Sequence, residues 1–337
     1  MTTREINLLH RDLYIKHGPE WVDLISTHAS WVLLTPEFAY KIKKPVQFSF
    51  LDYSTLEKRE AACWEEMRLN KELAKNLYLD VVEIREEKNR YTLEGSGTNL
   101  IDFALKMKRM NPKRQMDILL HTDQVSAEDV LAIAENLTLF HQKAERRYDV
   151  VDLDTLKNQF NDIAVILPFL EKHFPEEASS TIENSIELSD QFLAQHLDRL
   201  LERQAKGWVI DGHGDLHSRN IFLMKKPVIF DRIEFNEAFR LMDILSEIAF
   251  FCMDLHFFGR QDLAAHFLQR YFQLIPCIED IKDWNIFHYF KLYRANVRLK
   301  VSGLNAMQAQ DEAELQAIIP TVKAYLHLYR YYLKALS

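Results

Sequence analysis

Cysteine and glycine are both scarce in this chain, with three and eight residues in 337. Cys63, Cys252 and Cys277 lie far apart and form no Cys-x-x-Cys pair. This spacing argues against a disulfide framework and against a cysteine zinc site, and it favours a reducing cytoplasm. The stretch from 25 to 35 contains no glycine, so it lacks the glycine-rich loop that often covers nucleotide phosphates.

Long apolar runs and an excess of positive charge are absent as well. No run reaches the ~18 apolar residues of a membrane span, and the charged N-terminal segment does not look like a signal peptide. The net charge is −8, so a nucleic-acid backbone is not an expected partner. With 47% hydrophobic and 27% charged residues, the composition is that of an ordinary globular protein with neither membrane nor nucleic acid as a partner.

The most informative segment is His-Gly-Asp-Leu-His-Ser-Arg-Asn at 213–220. Three of the eight glycines lie just before it or within it, at 207, 212 and 214. Asp231 follows eleven residues after Asn220, at the end of the apolar run 227–230. Alone, Asp215 would be interpreted as a solvated acid in a turn. Together, an acid, an amide five residues later and a second acid form a set that phosphoryl transfer can use. Asp215 can take a proton from a hydroxyl, while Asn220 and Asp231 can hold Mg²⁺ against nucleotide phosphates.

The predicted secondary structure changes character near residue 110. Before it, one helix is predicted at 56–75 and strands are predicted at 31–35, 39–43, 81–85, 91–93 and 101–107. After it, short strands are expected between 208 and 231, and helices at 127–144, 154–172, 182–203, 241–256, 261–274, 284–302 and 311–336. We therefore predict an α+β, bilobal chain with a small strand-rich lobe of residues 1–109 and a larger, mostly helical lobe of residues 110–337.

The 213–220 motif followed by Ile-Phe-Asp231 resembles the catalytic region of the aminoglycoside phosphotransferase/choline kinase superfamily. The order of the two lobes also matches, so the resemblance covers most of the chain. It is strongest to an uncharacterised bacterial branch, through the motifs Thr-His-Ala-Ser at 27–30, Tyr-Lys-Ile-Lys-Lys-Pro at 40–45, Phe-Leu-Asp at 50–52 and Ile-Glu-Phe-Asn at 233–236. The resemblance implies a protein-kinase-like fold, with a nucleotide-binding first lobe and a catalytic and substrate-binding second lobe.

The resemblance also implies roles for individual residues. Asp215 would be the catalytic base, and His213 would brace the catalytic loop. Asn220 and Asp231 would hold Mg²⁺. The residues after Asp231 are Arg-Ile-Glu rather than Phe-Gly, which argues against a regulated protein kinase of the eukaryotic type.

A phosphate-binding lysine and its partner carboxylate are expected in the first lobe. Strand alternation places Ala39, Lys41 and Lys43 on one face. Ala39 would then cover the adenine and Lys41 would reach the phosphates, with Lys43 as the competing choice. On the 56–75 helix, the spacing of the apolar residues places Glu66 on the inward face. We therefore choose Glu66 as the partner of the lysine, although a glutamate on the helix surface remains an alternative.

The glycine-free stretch 26–30 lies where the phosphate loop should be, and hydroxyl and N–H groups there, including those of Ser30, could cover the phosphates instead. Glu234 could be a further carboxylate near the metal or could pair with Arg232. Asp243 matches an acid that braces the catalytic loop in the family, and it could equally be a helix N-terminal acid. Arg294 and Arg298, one helical turn apart, could bind a substrate anion or form internal salt bridges.

The sequence thus predicts transfer of the γ-phosphoryl group of ATP, or of GTP, to a hydroxyl of a small molecule, with Mg²⁺ as cofactor. An inactive nucleotide-binding scaffold is the first alternative. A metal-dependent hydrolase built on His213, His217 and Asp231, with the His-x-Asp-x-His spacing of 213–217, is a weaker one, since further zinc ligands cannot be placed. The acceptor, the choice of nucleotide and the oligomeric state stay open.

Overall fold

A computed structural model describes residues 1–18, 22–48, 51–95, 97–175 and 179–336. Phe50 of the Phe-Leu-Asp motif lies outside these ranges. The chain divides into two compact units, each built from two segments: residues 1–119 with 219–239, and residues 120–218 with 240–337. The α+β class is confirmed, whereas the lobe boundary at residue 109 stays a prediction.

The first unit is built on a six-stranded antiparallel sheet in the order β1-β2-β3-β8-β6-β7. Its strands are β1 (Asp23–Ser26), β2 (Ser30–Leu34), β3 (Phe38–Lys43), β6 (Tyr78–Glu87), β7 (Arg90–Leu93) and β8 (Asn99–Lys108); two short strands, β4 (Gln47–Phe48) and β5 (Leu51–Asp52), form a separate hairpin. The predicted hairpin at 31–43 is confirmed, because β2 and β3 pair antiparallel with Val32 opposite Lys41.

Two helices cover the two faces of this sheet. Helix α1 (Thr3–His17) packs Ile6, Leu9 and Leu13 against the face that carries Tyr40 and Ile42. Helix α2 (Leu56–Ala74) packs Cys63 and Met67 against the opposite face, which carries Ala39 and Leu105. Alternation along β3 therefore sends its even-numbered side chains toward α1 and its odd-numbered ones toward α2. The unit is completed by a 3₁₀ turn (Pro112–Arg114), the start of α3 (Met116–His121) and the β10–β11 hairpin (Ile221–Phe222, Val228–Ile229).

The second unit is mostly helical. Its helices are α4 (Ala127–Lys143), α5 (Leu153–Asn161), α6 (Leu167–His173), α7 (Ser179–Ala205), α8 (Ile244–Phe257), α9 (Gln261–Leu274), α10 (Ile281–Met307) and α11 (Glu312–Leu336). One small antiparallel pair joins β9 (Val209–Asp211) to β12 (Leu241–Asp243). Within the described ranges, no helix combines the length and the apolar character needed to cross a membrane.

The structure differs from the sequence predictions at three helices. The helix predicted at 154–172 is broken into α5, a 3₁₀ segment (Asp162–Ile166) and α6, because Pro168 cannot continue an α-helix from the preceding turn. The helix predicted from 241 begins only at Ile244, since residues 241–243 pair with β9. Helix α1 was not predicted, although Thr2 and Glu5 form a capping box at its start.

Candidate active site

Lys41 connects two of the predicted site residues in the first unit. Its Nζ donates a hydrogen bond to Glu66 Oε1 at 2.8 Å and to Asp231 Oδ1 at 2.7 Å. Glu66 is fully buried on α2, so the inward face predicted from helical spacing is confirmed. A strand residue, a helix residue and a residue 190 positions further along the chain thus meet in one hydrogen-bonded set.

Lys43 shares the same carboxylate. It hydrogen-bonds Glu66 and Glu234, and its side chain is 1% exposed, compared with 17% for Lys41. We call Lys41, Lys43, Glu66, Asp231 and Glu234 the lysine–carboxylate cluster. The more exposed lysine is the one that contacts Asp231, and this difference favours Lys41 over Lys43 as the residue that reaches a ligand.

Charges within the cluster favour the ionised forms of Lys41 and Glu234. Burial alone would lower the pKa of Lys41, but the carboxylates of Asp231, Glu66 and Glu234 raise it well above its ordinary value. Burial would likewise raise the pKa of Glu234, but the charges of Lys43 and Lys41 and the hydrogen bonds that Glu234 accepts lower it to about 2. Lys41 and Glu234 are therefore charged at neutral pH, whereas burial raises the pKa of Glu66 above its ordinary value although Lys41 and Lys43 lower it.

Asp231 has an unusual backbone conformation. Its φ is +62°, in the left-handed region that residues other than glycine rarely adopt. The Tyr78 hydroxyl accepts the Asp231 backbone N–H at 3.1 Å, and the next residue, Arg232, exchanges backbone hydrogen bonds with the Asn70 side chain. Backbone held in this region costs free energy and is concentrated at functional sites, so the geometry supports a functional role for Asp231.

The sequence left the partner of Glu234 open, and the structure identifies it. Glu234 pairs with Lys43 and accepts the Tyr53 hydroxyl at 2.7 Å, while Arg232 pairs with Glu72 at 2.9 Å. The alternative in which Glu234 pairs with Arg232 is therefore not the arrangement formed.

Asn220 precedes β10 in the same unit as Asp231. Its carbonyl oxygen accepts the N–H of Phe230 at 3.0 Å, so the hairpin places Asn220 beside the residue before Asp231. A carboxylate and an amide offer the hard oxygen ligands that Mg²⁺ prefers, and the Asp231 carboxyl is 41% exposed. These two side chains therefore fit a magnesium site.

An apolar cluster lies on the same face of the sheet as Lys41. Ala39, which is 8% exposed, packs there with Met107, and Val32, Val228 and Phe230 are partly buried against them. Small and flat apolar side chains next to a cation suit an adenine-type base followed by its phosphates. The arrangement supports the nucleotide role predicted for Ala39.

The glycine-free stretch 26–30 is the tight turn between β1 and β2. Thr27 donates its N–H and its hydroxyl to the Ser30 carbonyl at 2.8 and 3.0 Å, and Ser30 N–H returns a bond to the Thr27 hydroxyl. Lys44 also bonds Ser26 and Thr27. Ser30 itself is buried opposite Lys43 in the β2–β3 register, so the role predicted for it stays a prediction.

The predicted base, Asp215, lies in the second unit on the loop 213–217. Its N–H donates to His213 Nδ1 at 3.3 Å, and its Oδ2 is 3.2 Å from His217 Nε2. Removal from water would raise the pKa of Asp215, but the charge and hydrogen bond of His217 and the charge of Arg298 lower it below its ordinary value. Asp215 is therefore ionised at neutral pH, with its side chain 38% exposed.

Glu247 on α8 holds this loop, and the sequence analysis missed it. Its Oε1 accepts the N–H groups of His213 at 2.6 Å and of Gly214 at 2.9 Å, and its Oε2 lies 2.6 Å from His141 Nε2. Gly214 has φ +91°, a conformation that favours glycine. No local pattern marks Glu247, because the partners are more than 30 residues away.

Asp243 has a different contact from the one the family pattern implied. Its carboxylate caps α8 through the Leu245 N–H and pairs with buried Arg203 at 2.7 and 2.9 Å. The alternative of a helix N-terminal acid is therefore correct, and it is Glu247 that accepts the N–H groups of the loop 213–217.

The hydrolase alternative requires a cluster of metal ligands. Across the ranges that the structure describes, no group of three or more His, Cys, Asp or Glu side chains could hold a metal ion.

The sequence has relatives among known proteins. No protein-family model matches the sequence. The chain is 30% identical over 314 residues to uncharacterized proteins of Mycobacterium tuberculosis and Mycobacterium bovis. The match covers 91% of this chain and 60% of those proteins, so the chain spans about 60% of the length of these relatives.

Solved structures show the fold at low sequence identity. A choline kinase from Cryptosporidium parvum matches with a TM-score of 0.56 at 11% identity, over 98% of this chain and 97% of that one. A spectinomycin phosphotransferase bound to AMP matches with 0.52 at 10% identity, over 96% and 98%. A choline/ethanolamine kinase family protein from Mesorhizobium loti matches with 0.50 at 9% identity, over 98% and 99%. The chain therefore has the protein-kinase-like fold of this choline kinase and this spectinomycin phosphotransferase.

Proposed function

We propose that this protein is a phosphotransferase that moves the γ-phosphoryl group of ATP, or of GTP, to a hydroxyl of a small molecule. The observation that carries the proposal is the simultaneous contact of Lys41 with Glu66 and Asp231. Phosphoryl transfer in kinases uses a strand lysine paired with a helix carboxylate, together with an aspartate at the metal. The fold neighbours named as choline kinase and spectinomycin phosphotransferase act on small molecules, which supports the same class of acceptor here.

Each residue would have a distinct task. Lys41 would bind the α- and β-phosphates, oriented by Glu66, and Ala39 would contact the base. Asn220 and Asp231 would hold Mg²⁺, which when bound neutralises phosphate charge. Ser30 would contribute to the cover of the phosphates from the β1–β2 turn.

The chemical step is a displacement at the γ-phosphorus. The acceptor oxygen forms a bond to that phosphorus, the bond to the β–γ bridging oxygen breaks, and the nucleoside diphosphate leaves with the electron pair. The acceptor's proton passes to the Asp215 carboxylate. Because the pKa of Asp215 is lowered, its main contribution is to orient the hydroxyl, and positioning supplies much of the rate.

Two isosteric substitutions test the proposal. Asp215→Asn should lower kcat by about 10²-fold or more while leaving the affinity for Mg-nucleotide unchanged. Asp231→Asn should weaken Mg-nucleotide binding, and asparagine is preferred to alanine there because it tolerates a positive φ. Asp262→Asn, on the surface of α9, is the control. Binding is measured by thermal shift with ATP and with GTP, and turnover by release of ADP or GDP.

If neither nucleotide stabilises the wild-type protein in the presence of Mg²⁺, the proposal is wrong. Full turnover by Asp215→Asn on any accepted substrate would likewise contradict the assigned mechanism.

A nucleotide-binding scaffold without activity is the second candidate. It is favoured by the turn at residues 27–30, where the hydroxyl and N–H of Thr27 and the N–H of Ser30 are used in hydrogen bonds within the turn. This candidate predicts Mg-dependent thermal stabilisation by a nucleotide without its consumption in the presence of any hydroxyl compound.

A further inference from the structure

Three cationic side chains on one face of α10 have no salt bridge to a carboxylate among the described residues. They are Lys291, Arg294 and Arg298, and their polar contacts are to neutral groups. Buried arginines elsewhere are paired with acids: Arg59 with Asp102, Arg199 with Asp283, Arg203 with Asp243, Arg232 with Glu72, and Arg240 with Asp211. The face is therefore not the internal salt-bridge face that the sequence left as an alternative.

Arg294 places this face beside the catalytic loop. Its side chain is buried, and its Nη1 lies 3.5 Å from the carbonyl oxygen of Gly214, the residue before Asp215. The guanidinium also donates to Ser246 and lies 4.9 Å from the centre of the Phe250 ring. Arg294 is thus anchored close to the loop that carries Asp215.

Arg298 lies one helical turn further along the same face. Its Nε donates to the Tyr325 hydroxyl at 3.2 Å, and it is only partly buried. Within the part of the chain that the structure describes, Nη1 and Nη2 donate no hydrogen bond. Burial would lower the pKa of Arg298, but Tyr325 and the carboxylates of Asp215 and Asp254 raise it.

Buried or half-buried charge without a close partner costs free energy. The terminal nitrogens of a guanidinium form a planar fork that matches a carboxylate or a phosphate with two parallel hydrogen bonds. A positive face next to Asp215, in a chain with a net charge of −8, therefore has the chemistry to receive an anion.

We propose that Arg298 binds a carboxylate or phosphate group of the hydroxyl acceptor, and that Arg294 and Lys291 supply the surrounding positive potential. The inference rests on the proposed phosphotransferase function and names its acceptor class: a small anionic alcohol. Choline and aminoglycosides are cations and would meet like charge at this face. The acceptor would thus differ in charge from those named for the fold neighbours.

A binding experiment tests the anion site without requiring turnover. Inorganic phosphate and glycerate are titrated by calorimetry into the wild-type protein saturated with Mg·ADP, with choline as the cationic comparison. We expect both anions to bind and choline not to bind. Arg298→Gln should weaken anion binding about 10- to 100-fold, and Arg298→Lys should restore part of it. Arg270→Gln, which removes an exposed arginine on α9 paired with Glu135, should leave it unchanged.

Anion affinities that are equal in the wild type and in Arg298→Gln would overturn the inference, as would the failure of both anions to bind. A second measurement uses ADP release with alcohols matched in size and differing in charge. Turnover of cationic or neutral alcohols alone would overturn the anionic acceptor and leave the phosphotransferase function intact. Arg298-dependent anion binding without turnover of any alcohol would support the site and count against the phosphotransferase.

Discussion

Lys43 hydrogen-bonds Glu234, which lies three residues beyond Asp231 in the chain. With the Asp231–Lys41 and Arg232–Glu72 pairs, this contact attaches the 231–234 segment to β3 and α2 at three points. The corresponding segment of regulated protein kinases carries Phe-Gly, which sets active and inactive states. Here three ion pairs hold the segment in one arrangement, which predicts a site that does not depend on a switch.

Glu234→Gln should therefore lower the stability of the protein. Glutamine keeps a hydrogen-bonding side chain but removes the negative charge that offsets Lys43, so we expect a loss of roughly 1–3 kcal/mol in the free energy of unfolding. Urea denaturation measures it. Glu237→Gln, at an exposed position three residues beyond Glu234, is the control, and equal losses in the two variants would contradict the prediction.

The substitutions Lys41→Met and Lys43→Met should distinguish the role of Lys41 in nucleotide binding from the role of Lys43 in stability. Lys43 is 1% exposed and bonded to two buried carboxylates, so its loss leaves unpaired buried charge and should lower stability by about 3–5 kcal/mol. Lys41 contacts the exposed Asp231 carboxylate, so its loss should mainly weaken Mg-nucleotide binding. Thermal unfolding with and without Mg·ATP distinguishes these effects. The assignment of Lys41 fails if nucleotide affinity depends only on Lys43.

Glu247→Gln should lower kcat with little effect on the KM for Mg-nucleotide. The Glu247 carboxylate accepts the N–H groups of His213 and Gly214 and pairs with His141, and a glutamine accepts these bonds more weakly because it is neutral. Asp215 would then be positioned less well. Glu135→Gln on the exposed face of α4 is the control, and an unchanged kcat in Glu247→Gln would show that the loop does not need this support.

The stability of the protein should fall in acid because the carboxyl groups of Glu234 and Glu247 become protonated. Burial would raise the pKa of each, but Lys43 and Lys41 lower that of Glu234, and His141 with the loop N–H groups lowers that of Glu247, from 4.5 to about 2 in both cases. A folded-state pKa below the unfolded one stabilises the protein above the unfolded pKa.

That stabilisation is fully present above about pH 4.5 and is lost as the pH falls toward about 2. We expect the free energy of unfolding, measured by denaturant titration at a series of pH values, to decline over this window. The decline should be shallower in Glu234→Gln and in Glu247→Gln. A slope identical to that of the wild type in both variants would disprove the assignment.

Local periodicity was enough to predict part of the site. Alternation along β3 placed Lys41 and Lys43 on one face, and the 3.6-residue period of α2 placed Glu66 inward, where both lysines bond it. The capping box at Thr2 and Glu5 is likewise a local signal, for the start of α1. Helix α1 was nevertheless not predicted, because the pattern that follows is rich in strands. Signals of this kind lie within a few residues of one another, so a single sequence carries them.

Contacts between distant segments were not predictable in the same way. Glu247 could not be connected to His213, nor Glu234 to Lys43, because 34 and 191 residues separate them and no spacing rule spans such distances. That Arg294 and Arg298 have no carboxylate partner among the described residues was equally hidden, since the chain has 50 acidic residues that could have paired with them.

By itself, then, the sequence determined the α+β class, most strands and helices, and the chemical types available for phosphoryl transfer, because these depend on residue identity and short-range spacing. Only the tertiary structure decided which lysine contacts Asp231, which glutamate supports the Asp215 loop, and which arginines have no salt bridge to a described carboxylate. Those outcomes depend on burial and on distances between segments far apart in the chain, where removal from water makes the presence or absence of each partner energetically decisive.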